Sequence, residues 1–278
     1  MTLMKIRPPA VAGTFYPADP VLLKRQIDGF IGAARPARNV PPKVLVCPHA
    51  GTLYSGKTAG IGYAQLSPGR DSIHRVIVLG PTHRISIRGL AVPSADAFAT
   101  PLGTVPIDHL GRQQALRLPQ VVMDDLPHQQ EHSLELQLPF LQRALARFSL
   151  LPFAVGEASP EEVAEVLDLV WGGDDTLIVI STDLSHFHPA REAERIDRES
   201  VTALLTHAGP LDHQQACGAT PLNGLARVAR QRGLQPCLLD LCHSGDTAGD
   251  PTRVVGYAAL RFDLRDKTTV LAAIQESA

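Results

Sequence analysis

Three short apolar runs in this chain each lead to a histidine. Val44-Leu45-Val46-Cys47 runs through Pro48 to His49, and Val76-Ile77-Val78-Leu79 runs through Gly80-Pro81-Thr82 to His83. Leu177-Ile178-Val179-Ile180 runs through Ser181-Thr182-Asp183-Leu184-Ser185 to His186. Continuous β-branched stretches of this length read as strands buried on both faces, as in parallel sheets. Open α/β sheets bind ligands just beyond the carboxyl ends of such strands. Three strands that deliver imidazole to one edge therefore predict a shared site, most simply a metal site.

Helical patterns alternate with these strands. Pro20 to Ile31, Ser55 to Leu66, Ser133 to Phe148, Pro160 to Trp171, Ala190 to Leu205 and Pro221 to Gln231 read as helices, the last stopped by Gly233. Ser55 to Leu66 is rich in Gly and Ala, which suits close packing on a sheet, and Pro139 should bend or split the helix that contains it. Further strands are expected at Gly89 to Pro93, Leu102 to Ile107, Leu150 to Val155, Cys237 to Leu241 and Arg253 to Phe262, with a loop over Ser94 to Pro101. The alternation predicts an α/β fold, a mainly parallel sheet with helices on both faces. Nothing in composition marks a boundary, so one domain over residues 1–278 is expected.

Composition narrows the partners. The 26 Lys and Arg against 28 Asp and Glu leave a net charge of −2, which gives no reason to expect nucleic acid or an anionic membrane. The 44% hydrophobic content is ordinary for a globular protein, and no apolar run reaches the roughly 18 residues of a membrane span. Met1 to Pro9 lacks the apolar core of a signal peptide. Cys47, Cys217, Cys237 and Cys242 form no Cys-x-x-Cys pair, which fits a reducing compartment, and the expected location is cytoplasmic.

Each candidate site residue also has a plain structural reading. A lone His49 or His83 could be a buried histidine bonded to a carbonyl; two at equivalent strand ends favour a common role. Asp183 could cap a turn, while His186 reads as a cleft residue, either a ligand or a general base. In Glu131-His132-Ser133-Leu134-Glu135, Ser133 could cap a helix, or Glu131 or His132 could turn inward and orient a ligand. In Cys242-His243-Ser244-Gly245-Asp246, Asp246 could complete a two-His-one-carboxylate set or simply cap a turn, with Asp250 as a rival. His74, His109, His128, His188, His207 and His213 read as solvent-facing. Cys47 and Cys217 read as small buried fillers, with Cys242 alone placed to touch the site.

These segments together resemble the Memo family, known in bacteria and archaea as the AmmeMemoRadiSam system protein B. The matching stretches are Arg7-Pro8-Pro9-Ala10-Val11-Ala12-Gly13-Thr14-Phe15-Tyr16-Pro17, Pro48-His49-Ala50-Gly51 with Tyr54-Ser55-Gly56, and Leu79-Gly80-Pro81-Thr82-His83. Thr100-Pro101-Leu102-Gly103, Glu131 to Glu135, Ser181 to His186 and Val255-Gly256-Tyr257-Ala258-Ala259 follow in order, so the resemblance spans nearly the whole chain.

The resemblance implies a fold similar to LigB-type class III extradiol non-haem iron dioxygenases. It implies His49 and His83 as metal ligands, and His186, with Asp183 in the same motif, as the acid/base residue. Asp246 is implied as third ligand, or Cys242 in a softer site that favours copper or zinc. Tyr54, Glu131, His132 and Cys242 fall around the site as substrate-facing or supporting residues. Fe(II) is the implied metal, an oxidoreductase the implied class, and radical-SAM and AMMECR-type proteins the implied partners. A metal-dependent adaptor without turnover, and a zinc hydrolase, are the competing expectations.

Overall fold

The computed structural model describes residues 4–264; the outer ends of the expected 1–278 domain lie outside them. The chain runs through β1 (Ile6–Arg7), α1 (Pro20–Gly32), β2 (Val44–Cys47), α2 (Thr52–Ala64), β3 (Arg75–Pro81) and β4 (Leu90–Val92). Next come β5 (Ala97–Thr100), β6 (Gly103–Pro106), α3 (His109–Ala115), β7 (Val121–Met123), α4 (Leu126–Gln129) and α5 (Gln137–Ala144). The second half carries β8 (Ser149–Val155), α6 (Pro160–Val170), β9 (Thr176–Ser181), β10 (His186–His188), α7 (Ala190–Thr206) and α8 (Ala219–Arg232). It closes with β11 (Gln235–His243) and β12 (Val254–Asp263).

Parallel pairs β2–β9, β9–β3 and β3–β8 form the centre of the large sheet. Their side chains alternate between two cores, as the pleat requires. Val44, Val46, Ile77, Leu79, Ile178 and Ile180 face the layer that contains residues of α6, α7 and α8. Leu45, Cys47, Val76, Val78, Leu177 and Val179 face the layer of α1, α2 and α5. Both faces are thus covered, which explains why these strands read as unbroken apolar runs.

The sheet is more mixed than a mainly parallel reading expects. β12 runs antiparallel to β2, β10 and β11, and β4 runs antiparallel to β8. The turn between β11 and β12 is too short for a crossover helix, so that pair can only fold back on itself.

Local chemistry sets several element ends. Asp19 caps α1 through the Leu22 N–H at 2.8 Å, and Ser159 with Glu162 forms a reciprocal capping box on α6. The helix expected from Ser133 begins only at Gln137, which puts Pro139 in its first turn where a missing N–H costs nothing. The Gly/Ala-rich helix does lie close to the sheet: a Cβ at Gly62 would sit 2.6 Å from the Cys47 Sγ. The expected loop over Ser94 to Pro101 contains strand β5, which pairs with the N-terminal β1 and with β6.

Candidate metal centre

His49, His83 and Asp183 each lie two residues past the carboxyl ends of β2, β3 and β9, and His132 lies in the loop between α4 and α5. Among the described residues, His49, His83 and His132 form the group whose ligand atoms all lie within 4.8 Å of one another. Their rings pack edge to face and stacked, with centroids 4.6 to 5.3 Å apart. A four-coordinate ion bound at about 2.1 Å would draw such nitrogens to roughly 3.4 Å of each other. Nitrogens as far as 4.8 Å apart would close by up to about 1.4 Å to reach it.

Two of the three rings are hydrogen-bonded through Nδ1. Ser181 donates its only hydroxyl proton to the Ser133 carbonyl at 2.6 Å and accepts from Gln137 Nε2 at 2.7 Å. Its remaining lone pair, 2.9 Å from His49 Nδ1, can only accept, so Nδ1 of His49 carries the proton and Nε2 is bare. Glu131 makes the same assignment for His83, whose Nδ1 is 2.8 Å from Oε1. His132 presents its Nδ1 to that same Oε1 at 3.2 Å. Imidazoles fixed in this way leave Nε2 to a metal, with the outer hydrogen bond setting orientation and basicity.

Burial favours the neutral ring at His49 and at His132. Burial first, then the neighbouring His132, His83 and His186, hold the His49 pKa well below the usual imidazole value. Burial likewise brings His132 down to about 4, opposed by Glu131 and assisted by His83 and Arg84. Burial works to raise the Glu131 carboxyl, yet the ring bond from His83 and the backbone N–H groups of His83 and Ser133 bring it down to about 2. An ionised carboxylate behind the histidine cluster adds the negative charge that a divalent cation needs.

The N-terminal motif builds the loop that carries two of these groups. Arg7, 7% exposed, donates to the carbonyls of His128 and Glu131 and pairs with Glu135. Glu135 is fully buried and also accepts the Ala10 and Val11 N–H groups and the Tyr16 hydroxyl, the last at 2.6 Å. Phe15 then packs against His132 with ring centroids 4.8 Å apart. On the other side, Gly80 allows the Ser133 hydroxyl to reach the Pro81 carbonyl at 2.8 Å; a Cβ there would meet that oxygen.

The remaining expected residues stand outside this group of three. Asp183 is buried beneath it and accepts the His49 backbone N–H at 2.8 Å; burial raises its carboxyl pKa against the nearby His186 charge and those backbone bonds. His186 opens β10, half-buried, beside Phe187, a non-glycine residue at φ 65°. Tyr54 is partly exposed on α2. Cys242 bonds Thr58 at 3.1 Å, and its thiol pKa is raised by burial. Asp246 sits in the turn after β11, its side chain more than half exposed, and accepts the His243 N–H at 3.0 Å.

Two readings of the sequence change here. His128, expected at the surface, is 2% exposed and bonds the Ala91 carbonyl through Nε2 at 3.0 Å, because Arg7 pulls its loop inward. Cys217, expected as a plain filler, has its Sγ 3.4 Å from His49 Nε2. Burial and the neighbouring Asp183 push that thiol up to about 12, so it stays protonated against the bare nitrogen. No local pattern announces this contact; it arises because Gly218 packs directly on Thr182.

An α/β sheet that gathers three imidazoles at one edge, two just past strand ends and one from the loop before α5, defines a class of protein with a donor set suited to a metal ion. The family model described as "Memo-like protein" matches residues 7–261. A "MEMO1 family protein" of Aquifex aeolicus is 37% identical, the alignment covering 93% of this chain and all of the relative. One from Methanopyrus kandleri is 36% identical over 92% of this chain and 98% of the relative, and one from Sulfolobus acidocaldarius 32% over 92% and 99%. The chain belongs to the Memo family.

Proposed function

We propose that this protein is a metal-dependent oxidoreductase whose Fe(II) is held by His49, His83 and His132. The observation that carries this reading is the cluster of three histidines, two of them held through Nδ1 by Ser181 and Glu131 so that Nε2 is left to the ion. Imidazole suits iron, zinc and copper, and the resemblance to LigB-type dioxygenases favours iron among them. The ion would supply Lewis-acid and redox chemistry at its open positions.

The chain's own groups do the rest. Glu131 and Ser181 keep the rings of His83 and His49 from rotating. Asp183 fixes the His49 backbone and shares its surroundings with His186. His186, a half-buried imidazole near His49 and Asp183, is the group available to accept and return a substrate proton. Cys217 has to yield the space beside His49 Nε2 when that nitrogen is engaged.

Three histidines are also the donor set of catalytic zinc, so a hydrolytic site is the second reading. Metal content of tag-free protein purified anaerobically, wild type beside His83→Ala, separates the two. Near-stoichiometric iron, lost in the variant, is the expected result. Stoichiometric zinc moves the reading to hydrolysis, and no retained metal under any loading condition overturns both.

A further inference from the structure

A cleft of about 540 Å³ opens directly beside His83. Its walls include Arg84, Ser86, His213, Cys217 and Thr220, and thus one of the three clustered imidazoles and the thiol that touches another. Arg84 is exposed and makes no hydrogen bond or ion pair with any described residue, which sets it apart from its neighbour Arg88. Arg88 donates to the Glu157 carbonyl and pairs with Glu162. Glu157, the acid in the cleft wall, has Arg88 beside it. Among the described residues no carboxylate pairs with Arg84, so its guanidinium donors are free to meet a ligand.

A free guanidinium at the rim of a water-accessible cleft is a strong receptor for a planar or tetrahedral oxyanion, because its fork of N–H donors matches such groups. We propose that Arg84 determines specificity here and that the cleft takes a small substrate bearing a carboxylate or phosphate, its anion against Arg84 and the remainder directed to the three histidines. This deepens the metal-enzyme reading and rests on it for the substrate's orientation.

Calorimetric titration of the zinc-loaded protein with benzoate, inorganic phosphate and the neutral benzamide tests the idea. Benzoate or phosphate should bind in a salt-sensitive way, and the tighter of the two names the anion. Arg84→Gln should weaken that binding roughly ten- to a hundredfold while leaving benzamide unchanged. Arg84→Lys should recover part of the loss. The exposed position makes a folding defect a poor explanation for any change. Equal anion affinity in Arg84→Gln, or no anion binding by the wild type, overturns the proposal.

Metal stoichiometry measured on the same samples keeps the two ideas apart. If metal binds and Arg84 has no effect, the inference fails alone. If the protein takes no metal yet anion binding depends on Arg84, the metal reading fails and the anion site stands.

Discussion

Glu131 grips His83 at two points, accepting the backbone N–H at 2.6 Å with Oε2 and the ring Nδ1 at 2.8 Å with Oε1. The same Oε1 takes the N–H groups of His132 and Ser133. One carboxylate thus sets the backbone position and ring orientation of one clustered histidine and the backbone of a second. Four donors converge on it, and the His132 ring lies 3.2 Å from the same Oε1. That explains how so buried a group stays ionised.

Glu131→Gln tests this. The amide keeps the shape but loses the charge, and its nitrogen end cannot accept from His83. Zinc affinity measured by chelator competition should fall about 10- to 100-fold, as expected for a partner that orients a ligand. Unchanged affinity would show that the rings hold their places without it.

His132→Ala and Asp246→Ala form a discriminating pair. His132 shares the cluster, whereas Asp246 caps its own turn through the His243 N–H. The His132 variant should lose stoichiometric metal, and the Asp246 variant should retain it with a melting temperature lowered by a few degrees, given a cap's worth of about 1 kcal/mol. The reverse outcome would put the carboxylate on the ion and remove His132 from it.

Arg7→Ala addresses the clamp behind the site. The Arg7–Glu135 pair is almost wholly buried, and removing one partner strands the other's charge. A loss of about 3–5 kcal/mol in urea unfolding is expected. A loss below about 1 kcal/mol would mean the N-terminal segment is not what holds the 128–135 loop.

The sequence makes the central strands and two of the three clustered histidines readable, because both follow from local pattern. Unbroken apolar runs announce β2, β3 and β9, and the break after each marks where a ligand edge begins. What it hides is what depends on distant contacts. Strand β5 is Ala97-Phe98-Ala99-Thr100, poor in β-branched residues, and forms because β1 arrives from about ninety positions away. His132 precedes a helix and joins the cluster only because Arg7 and Glu135 tie its loop to the N-terminus. Asp246 shows the opposite hazard: the turn that could aim it at a site also lets it bond its own backbone.

Buried neutral histidines should give the metal-free protein a distinctive acid response. Burial is the leading cause of the lowered pKa in His49, His128 and His132, the latter two reaching about 4. The unfolded chain takes up these protons near pH 6.5, whereas in the folded protein His128 and His132 take them up only near 4 and His49 well below its usual value. Between those values the unfolded state binds more protons, so stability rises with pH and is lost as pH falls from about 6.5. Each group adds a slope of up to about 1.4 kcal/mol per pH unit. Urea midpoints taken from pH 7.5 to 5 should therefore drop steadily below 6.5. His128→Gln, whose amide can still donate to the Ala91 carbonyl, should make that decline shallower without affecting metal binding at pH 7. A flat profile in the wild type would mean these rings are protonated in the folded protein, and the neutral donor set on which the metal site depends would be lost with it.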